Sequence, residues 1–390
     1  MGLGLYIHVP YCRTVCPYCD FNVAPDRSAG TSQWDDYFVA ITNEWDARRG
    51  GFSGPVQTIY FGGGTPSLAP PEKLAAFLSH VRSTAEVVDG VEITLEADPG
   101  TVNKAGLVAL REAGVNRLSL GWQSTDDGLL KVIGRNHHGQ ENRAVLLAAR
   151  EAGFTNVSVD LMFGIPGQTL AGLRETVGEI VAANPEHVSL YGLTYHAGTP
   201  FEAWRKSGRL VPVDDDSEAA MMGTIEALLE EAGYEHYEVS NYGRAGFRSE
   251  HNQSYWRGVP YLGVGPGAHS FVPGDWTSGK RWEAVRNPKQ YTAVWKDPAG
   301  QGVPEMGDPG CEWVEELSAE QLALERLMVG LRTRDGVDLN EVCQGDLAAC
   351  AEVAAGEAER RGWVRREGSR VLPTALGMQM GDSLVSLFFE

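Results

Sequence analysis

Three cysteines, Cys12, Cys16 and Cys19, stand in a Cys-x3-Cys-x2-Cys spacing directly after the strand-like run Leu3 to Val9. Any fold of this chain must gather those thiols on one loop at the end of its first strand. A four-iron four-sulfur cube normally takes four cysteine ligands, so three thiolates leave one iron open to an outside ligand. Closed structural zinc is the competing reading, with His8 as fourth ligand, but no second pair at Cys-x2-Cys or His-x3-5-His spacing stands near the triplet. Disulfide chemistry would use Cys16 and Cys19 and leave Cys12 unexplained. The spacing favours the cluster.

The remainder of the first two thirds alternates strand and helix patterns. Short β-branched or apolar runs predict strands over 3–9, 56–61, 91–96, 116–120, 157–163 and 187–191. Amphipathic stretches over 71–83, 104–113, 141–152 and 170–183 predict helices between them. Such alternation implies parallel strands with crossover helices, here an α/β partial (β/α)6 barrel. Barrels of this kind carry their chemistry on the loops at the C-terminal strand ends. The cysteine loop, the turn Gly62-Gly63-Gly64-Thr65-Pro66 and Glu96 all fall on that rim.

Glycine, proline and tryptophan become frequent from Asn241 to Pro309. Ser318 then opens a helix with Gln321 as capping-box partner, and Leu324, Leu327, Met328 and Leu331 give it one apolar face. The expected organisation is a barrel over 1–240, a glycine- and aromatic-rich connection over 241–310 and a small, mainly helical domain over 311–390. The charge-rich stretches 316–325 and 352–361 read as solvated helix faces.

Composition restricts the compartment and partners. Cys311, Cys343 and Cys350 are scattered, unlike a secreted disulfide framework. No apolar run reaches the ~18 residues of a membrane span, and no secretory leader opens the chain. These features lead us to expect a cytoplasmic protein. A net charge of −19 argues against nucleic acid, whose binding depends on clustered Lys and Arg.

Several polar residues fall on or just after the predicted strands and helices of the barrel: Glu96, Gln123, Arg135 and Asp160. Buried alone they would cost several kcal/mol each, about the price of an unpaired polar group. Either Arg135 pairs internally with Glu96 or Asp160, or these groups receive a ligand. The glycine turn lacks both the dinucleotide and the P-loop order. It is either a plain tight turn or a backbone cradle for a polar ligand end. His251-Asn252-Gln253-Ser254-Tyr255-Trp256 packs an imidazole and two large aromatics into six residues. A packed core histidine is the plainer reading; the other is a haem site, since neutral imidazole is a haem ligand and flat aromatics suit a macrocycle. His269, in a glycine-rich run, is a weaker candidate for that role. The adjacent His137 and His138 cannot share a face.

Together these segments resemble the radical S-adenosylmethionine (SAM) family that contains oxygen-independent coproporphyrinogen III oxidase and its haem-chaperone relatives. The likeness rests on the cysteine motif, Tyr60 to Ser67, Glu96 to Pro99, Ser119 to Ser124, Gly134 to His137, Asp160 to Thr169, His251 to Trp256 and Gly330 to Val337. It implies a 4Fe-4S cluster on Cys12, Cys16 and Cys19. It also implies SAM completing the open iron, with Tyr6, Tyr18, Gly63, Gly64, Thr65, Glu96, Gln123, Arg135 and Asp160 around it. The oxidases carry a fourth cysteine where this chain has Phe21, and an extension before the motif. With the His251 segment, that points to the haem-chaperone branch: haem as cargo, His251 beside it, haem-acceptor proteins such as membrane respiratory enzymes as partners, and no residue assigned as catalytic. A radical enzyme acting on a porphyrinogen or transferring a methyl group is the alternative. Trp122 stands where the family usually has a small aliphatic residue.

Overall fold

A computed structural model describes residues 2–25, 32–297 and 302–389. Its six central strands are β1 (Leu3–Val9), β2 (Val56–Gly63), β3 (Val87–Ala97), β4 (Arg117–Gln123), β5 (Val157–Phe163) and β6 (His187–Gly192). They run parallel in chain order. Each crossover contains a helix: α1 (Ser32–Arg48), α2 (Pro71–Thr84), α3 (Lys104–Glu112), α4 (Gly139–Glu151) and α5 (Leu170–Ala183), with α6 (Asp215–Glu231) after the last strand. All six predicted strands are present, and the helices lie within two residues of their expected bounds.

Side-chain alternation explains how this sheet encloses a site. Successive residues of a strand point to opposite faces. Leu3, Leu5, Ile7 and Val9, then Ile59 and Phe61, Ile93 and Leu95, Leu118 and Leu120, Val157 and Val159, and Val188 and Leu190 all join one apolar core with the crossover helices. The intervening residues are polar: Tyr6, His8, Thr58, Tyr60, Glu92, Glu96, Ser119, Ser158, Asp160, His187 and Ser189. Parallel strands packed against apolar neighbours on both sides are hydrophobic throughout. One apolar and one polar face instead give a barrel whose interior is lined for a ligand.

The sheet continues past both edges of this array. β7 (Glu235–Glu238), at the outer edge, pairs antiparallel with β8 (Asn241–Gly243), which adds antiparallel to β6. At the opposite edge β9 (Tyr261–Val264) pairs parallel with β1. It is followed antiparallel by β10 (His269–Val272), β11 (Ser278–Ala284) and β12 (Cys311–Ser318), making twelve strands among the described residues. A short helix, α7 (Glu250–Trp256), leads into β9.

Ser318 then caps α8 (Ala319–Gly330), its backbone N–H donating to Gln321 Oε1 at 2.9 Å, so the expected capping box is present. α8 and α9 (Gly345–Arg360) pack on a small antiparallel sheet of β13 (Val337–Asp338), β14 (Val364–Glu367) and β15 (Arg370–Pro373). Leu327, Leu331, Val371, Ala355 and Leu384 form its separate apolar cluster. Arg248 bridges the two units, pairing with Glu235 and, at 3.0 Å, with Asp335. No helix of the described residues is long and apolar enough to cross a membrane.

Candidate functional site

Residues Tyr11–Cys12 pair in parallel with Ala24–Pro25 and tie off the cysteine loop just beyond β1. Cys12 is buried, Cys16 and Cys19 are half-buried, and all three are free thiols. Burial raises Cys12 and pushes Cys19 up to about 11, so without a metal both stay protonated near neutrality. Metal coordination takes thiols of this kind to the thiolate. Among the described residues no three His, Cys, Asp or Glu side chains converge as one single metal ion requires. The Tyr18 ring meets Phe201 edge-on behind the loop, with ring centroids 6.2 Å apart.

The glycine turn closes on this loop through its backbone. Gly64 N–H donates to Val9 O and Thr65 N–H to Tyr11 O, both at 2.8 Å. Gly63 adopts a φ of 107°, and a Cβ there would stand 2.6 Å from His8 Cε1. A Cβ on Gly64 would come within 3.0 Å of Cys12 Sγ. The bare backbone is therefore required by close approach to the cysteine loop.

Beside the turn lies a set of buried charges. Glu96 accepts from Tyr60 Oη at 2.8 Å and Gly63 N–H at 3.2 Å. Burial, then the neighbouring Asp160 charge, pushes it up to about 7. Asp160 accepts from Ser119 Oγ at 2.9 Å and is itself pushed up to about 6, chiefly by burial. Arg135 does not pair with either. Its Nη2 reaches Asp98 Oδ2 at 2.8 Å and Gly121 O at 2.9 Å. Burial alone would raise Asp98, yet His137 and Arg135 hold it below its ordinary value. Gln123 has a left-handed φ of 62°, and its buried Oε1 has no partner among the described residues. Thus Glu96 lies against the glycine turn within the field of Asp160, while Arg135 and the unsatisfied Gln123 amide lie together against Gly121.

Trp122 follows Leu118 and Leu120 at period two on β4 and joins them in the main apolar core, and the β4–β5 register shifts between Leu120 and Gln123. His137 is buried beside Asp98, whereas exposed His138 meets Asp127, so the neighbouring imidazoles diverge as expected.

Ser249 caps α7, which carries His251 into the barrel wall. His251 Nδ1 lies 2.8 Å from Thr58 Oγ1 and its Nε2 2.9 Å from Tyr255 Oη. The ring stacks on Tyr60 at 5.0 Å and lies 6.4 Å from the Tyr6 ring. Burial, then the Arg117 charge, pushes the imidazole down to about 3, which keeps it neutral. Both ring nitrogens are engaged. Thr58 and Tyr60, which complete this network, and Asp98, which pairs with Arg135, were missed as site residues. The signal for Thr58 and Tyr60 was their period-two spacing with Gly62 on β2.

Tyr255 forms part of the wall of a cavity of about 590 Å³. Phe21 and Asn22 of the cysteine loop, Tyr261, Phe271 and Trp276 of the added strands and their turn, and Met328 of α8 also line it. Tyr6, Gly63 and Glu96 lie on its inner side. This volume falls in the range of small-molecule sites, roughly 300–1,000 Å³.

The family model for the Radical SAM superfamily matches residues 6–180, and that for the HemN C-terminal domain matches 317–380. The chain is 35% identical to the heme chaperone HemW of Synechocystis sp., over 94% of this chain and 87% of that protein. It is 32% identical to heme chaperone HemW of Bacillus subtilis, over 98% of each. Among solved structures it resembles coproporphyrinogen III oxidase (HemN) from Escherichia coli, a radical SAM enzyme, with a TM-score of 0.82 and 22% identity over 99% of this chain and 90% of that one. That likeness is one of fold.

Proposed function

The chain belongs to the HemW family of radical SAM proteins, and from that premise we propose that it is a cytoplasmic haem carrier that holds a 4Fe-4S cluster and SAM. Its acceptors would be haem proteins, membrane respiratory enzymes among them. Cys12, Cys16 and Cys19 would hold the cluster, with thiols that burial keeps protonated until metal displaces the protons. Around SAM, Glu96 offers an acceptor for the ammonium, Arg135 a donor for the carboxylate and Asp160 an acceptor for ribose hydroxyls. Gly63, Gly64 and Thr65 would border SAM with backbone whose N–H groups are held by Glu96, Val9 and Tyr11, while Tyr6, Tyr18 and Gln123 would complete the enclosure. When bound, the two cofactors supply access to a 5′-deoxyadenosyl radical.

The observation that carries the haem reading is the cavity of about 590 Å³ bounded by Phe21 of the cysteine loop and Tyr255 of the His251 segment. Both features that separate this chain from the oxidases face one space. The aromatic surfaces of Tyr255, Tyr261, Phe271 and Trp276 suit a flat apolar ring. His251 supports that wall through its hydrogen bond to Tyr255.

A second reading rests on a different detail of the same cavity. Tyr6, Gly63 and Glu96 line it and are also among the residues proposed around SAM, so a molecule held there would lie beside SAM, as a radical enzyme needs. Haem titration of the cluster-loaded protein under reducing, anaerobic conditions, with product analysis, separates the two. Haem bound and released unchanged to an acceptor supports the carrier; multiple-turnover conversion of a porphyrinogen, or methyl transfer, supports the enzyme.

A further inference from the structure

Three histidines lie around this cavity, and their surroundings differ. His8 is buried with Nε2 at 2.8 Å from Asn22 O and Nδ1 at 3.1 Å from Tyr6 Oη. His251 is buried behind Tyr255 with both nitrogens engaged. His269, on β10, lines the cavity directly with its side chain 51% exposed.

The strand register gives His269 a further feature. It stands directly opposite Glu283 on β11, with Nε2 3.7 Å from Glu283 Oε1. Glu283 is only 6% exposed at its side chain and is held by Trp313 Nε1–H at 2.7 Å and Arg286 Nε at 3.1 Å. Histidines that ligate metals usually present their second ring nitrogen to a carboxylate, which fixes ring orientation and raises ligand basicity. At 3.7 Å the contact is longer than a hydrogen bond, so the pair sets a fixed carboxylate next to a cavity-facing imidazole without closing that bond.

The cavity rim also carries cations suited to a dianionic porphyrin. Arg281 is already engaged by Glu315 and Glu325, each at 2.9 Å. Arg286 is more than half exposed, and the Arg326 guanidinium lies 4.5 Å over the Trp276 ring. Both line the cavity and can donate to carboxylates.

We propose that His269, braced by Glu283, is the protein ligand to the iron of haem in this cavity, and that His251 acts on the same site as a positioning residue through Tyr255. This assignment rests on the carrier reading. Aromatic surface binds the macrocycle whether or not iron is present; only the His269 contact depends on the metal.

The test uses the full-length, cluster-loaded protein under anaerobic conditions, titrated in parallel with iron protoporphyrin IX and with metal-free protoporphyrin IX. In His269→Gly, affinity for the iron porphyrin should fall on the order of ten-fold or more, the scale of losses at a metal-ligand sphere, and the Soret band should shift. Binding of metal-free protoporphyrin should be unchanged, and added imidazole should restore the wild-type spectrum. An unchanged Soret band and affinity in His269→Gly overturns the assignment while wild-type haem binding keeps the carrier reading intact. Equal weakening for both porphyrins without imidazole rescue also overturns it, because a packing role would do that. Failure of the wild-type protein to bind haem at all removes the carrier reading and this assignment with it.

Discussion

His251 Nε2 and Tyr255 Oη lie 2.9 Å apart, one helical turn from each other on α7. The i, i+4 spacing puts both side chains on one helix face, with the imidazole inside and the phenol at the cavity wall. Removing the ring in His251→Ala leaves Tyr255 and Thr58 without that partner. We expect a stability loss of about 1–3 kcal/mol, the cost of unsatisfied buried polar groups, together with weaker haem binding. The Soret position of whatever haem still binds should stay as in wild type. Tyr255→Phe should weaken binding less. Denaturant titration and anaerobic haem titration measure the two effects separately.

Reconstitution with iron and sulfide should load about four irons per chain, the content of one cube. A Cys12→Ala, Cys16→Ala, Cys19→Ala triple variant should load none, whereas mutation of Cys311, Cys343 and Cys350 should change nothing. Iron and sulfide analysis with visible absorbance decides it. One zinc per chain in protein purified without added metal would refute the cluster.

Glu96, pushed up to about 7 by burial and Asp160, makes SAM binding pH-dependent. Below pH 7 the carboxyl is protonated and cannot pair with an ammonium, so binding must expel a proton. Affinity should therefore rise as pH increases from 6 to about 7, below the titration of the α-ammonium itself, with a proton release at pH 6 that shrinks by pH 7.5. Calorimetry in buffers of different ionisation enthalpy reads this directly. Glu96→Gln should abolish the release and cost about 1.5–3 kcal/mol of SAM affinity, the worth of a hydrogen bond to a charged group. In the ligand-free protein the same shifts at Glu96 and Asp160 work in the opposite sense. The folded state holds more protons than the unfolded one between the ordinary carboxyl range and these raised values, so stability falls as pH rises from about 4 to 7.

Gln123 combines a left-handed φ of 62° with a buried, unpartnered Oε1. Both cost stability in the unliganded protein, and such strain collects at ligand sites. Gln123→Gly should leave the unliganded protein as stable or more stable, by roughly 1 kcal/mol after the entropy cost of glycine. SAM affinity should drop in the same variant. Thermal melting compared with SAM calorimetry tests the pair; a destabilised variant that binds SAM normally would contradict it.

The strand order, the position of the cysteine loop and the polar lining were legible in the sequence because each is local. Period-two alternation such as Thr58-Ile59-Tyr60-Phe61 fixes which side chains face the core and which the interior, whatever the distant partners do. The glycines at Gly63 and Gly64 likewise report a close approach that any side chain would prevent. Arg135 shows the limit of this. Its acidic partner is Asp98 rather than Glu96 or Asp160, because Glu96 lies on the strand while Asp98 lies past its end, within reach of the Arg135 loop.

The stretch 241–310 reads as glycine- and aromatic-rich connection, yet it supplies β9, β10 and β11 to the sheet edge, and β12 opens the expected C-terminal domain as a further strand. β9 and β10 are four residues each, with Gly265 and Gly267 between them and Pro273 and Gly274 after, so local pattern is weak. β9 is aligned by β1, some 250 residues away in sequence, whose edge pairs with Tyr261 to Val264, and the later strands add in turn. The same long-range pairing separates His251 from His269. The sequence marked both imidazoles, but only tertiary packing turned one into a barrel wall with both nitrogens engaged and left the other facing the cavity opposite Glu283. Spacing along a chain selects faces of a strand or helix; what lies against each face is decided by segments far away in that chain.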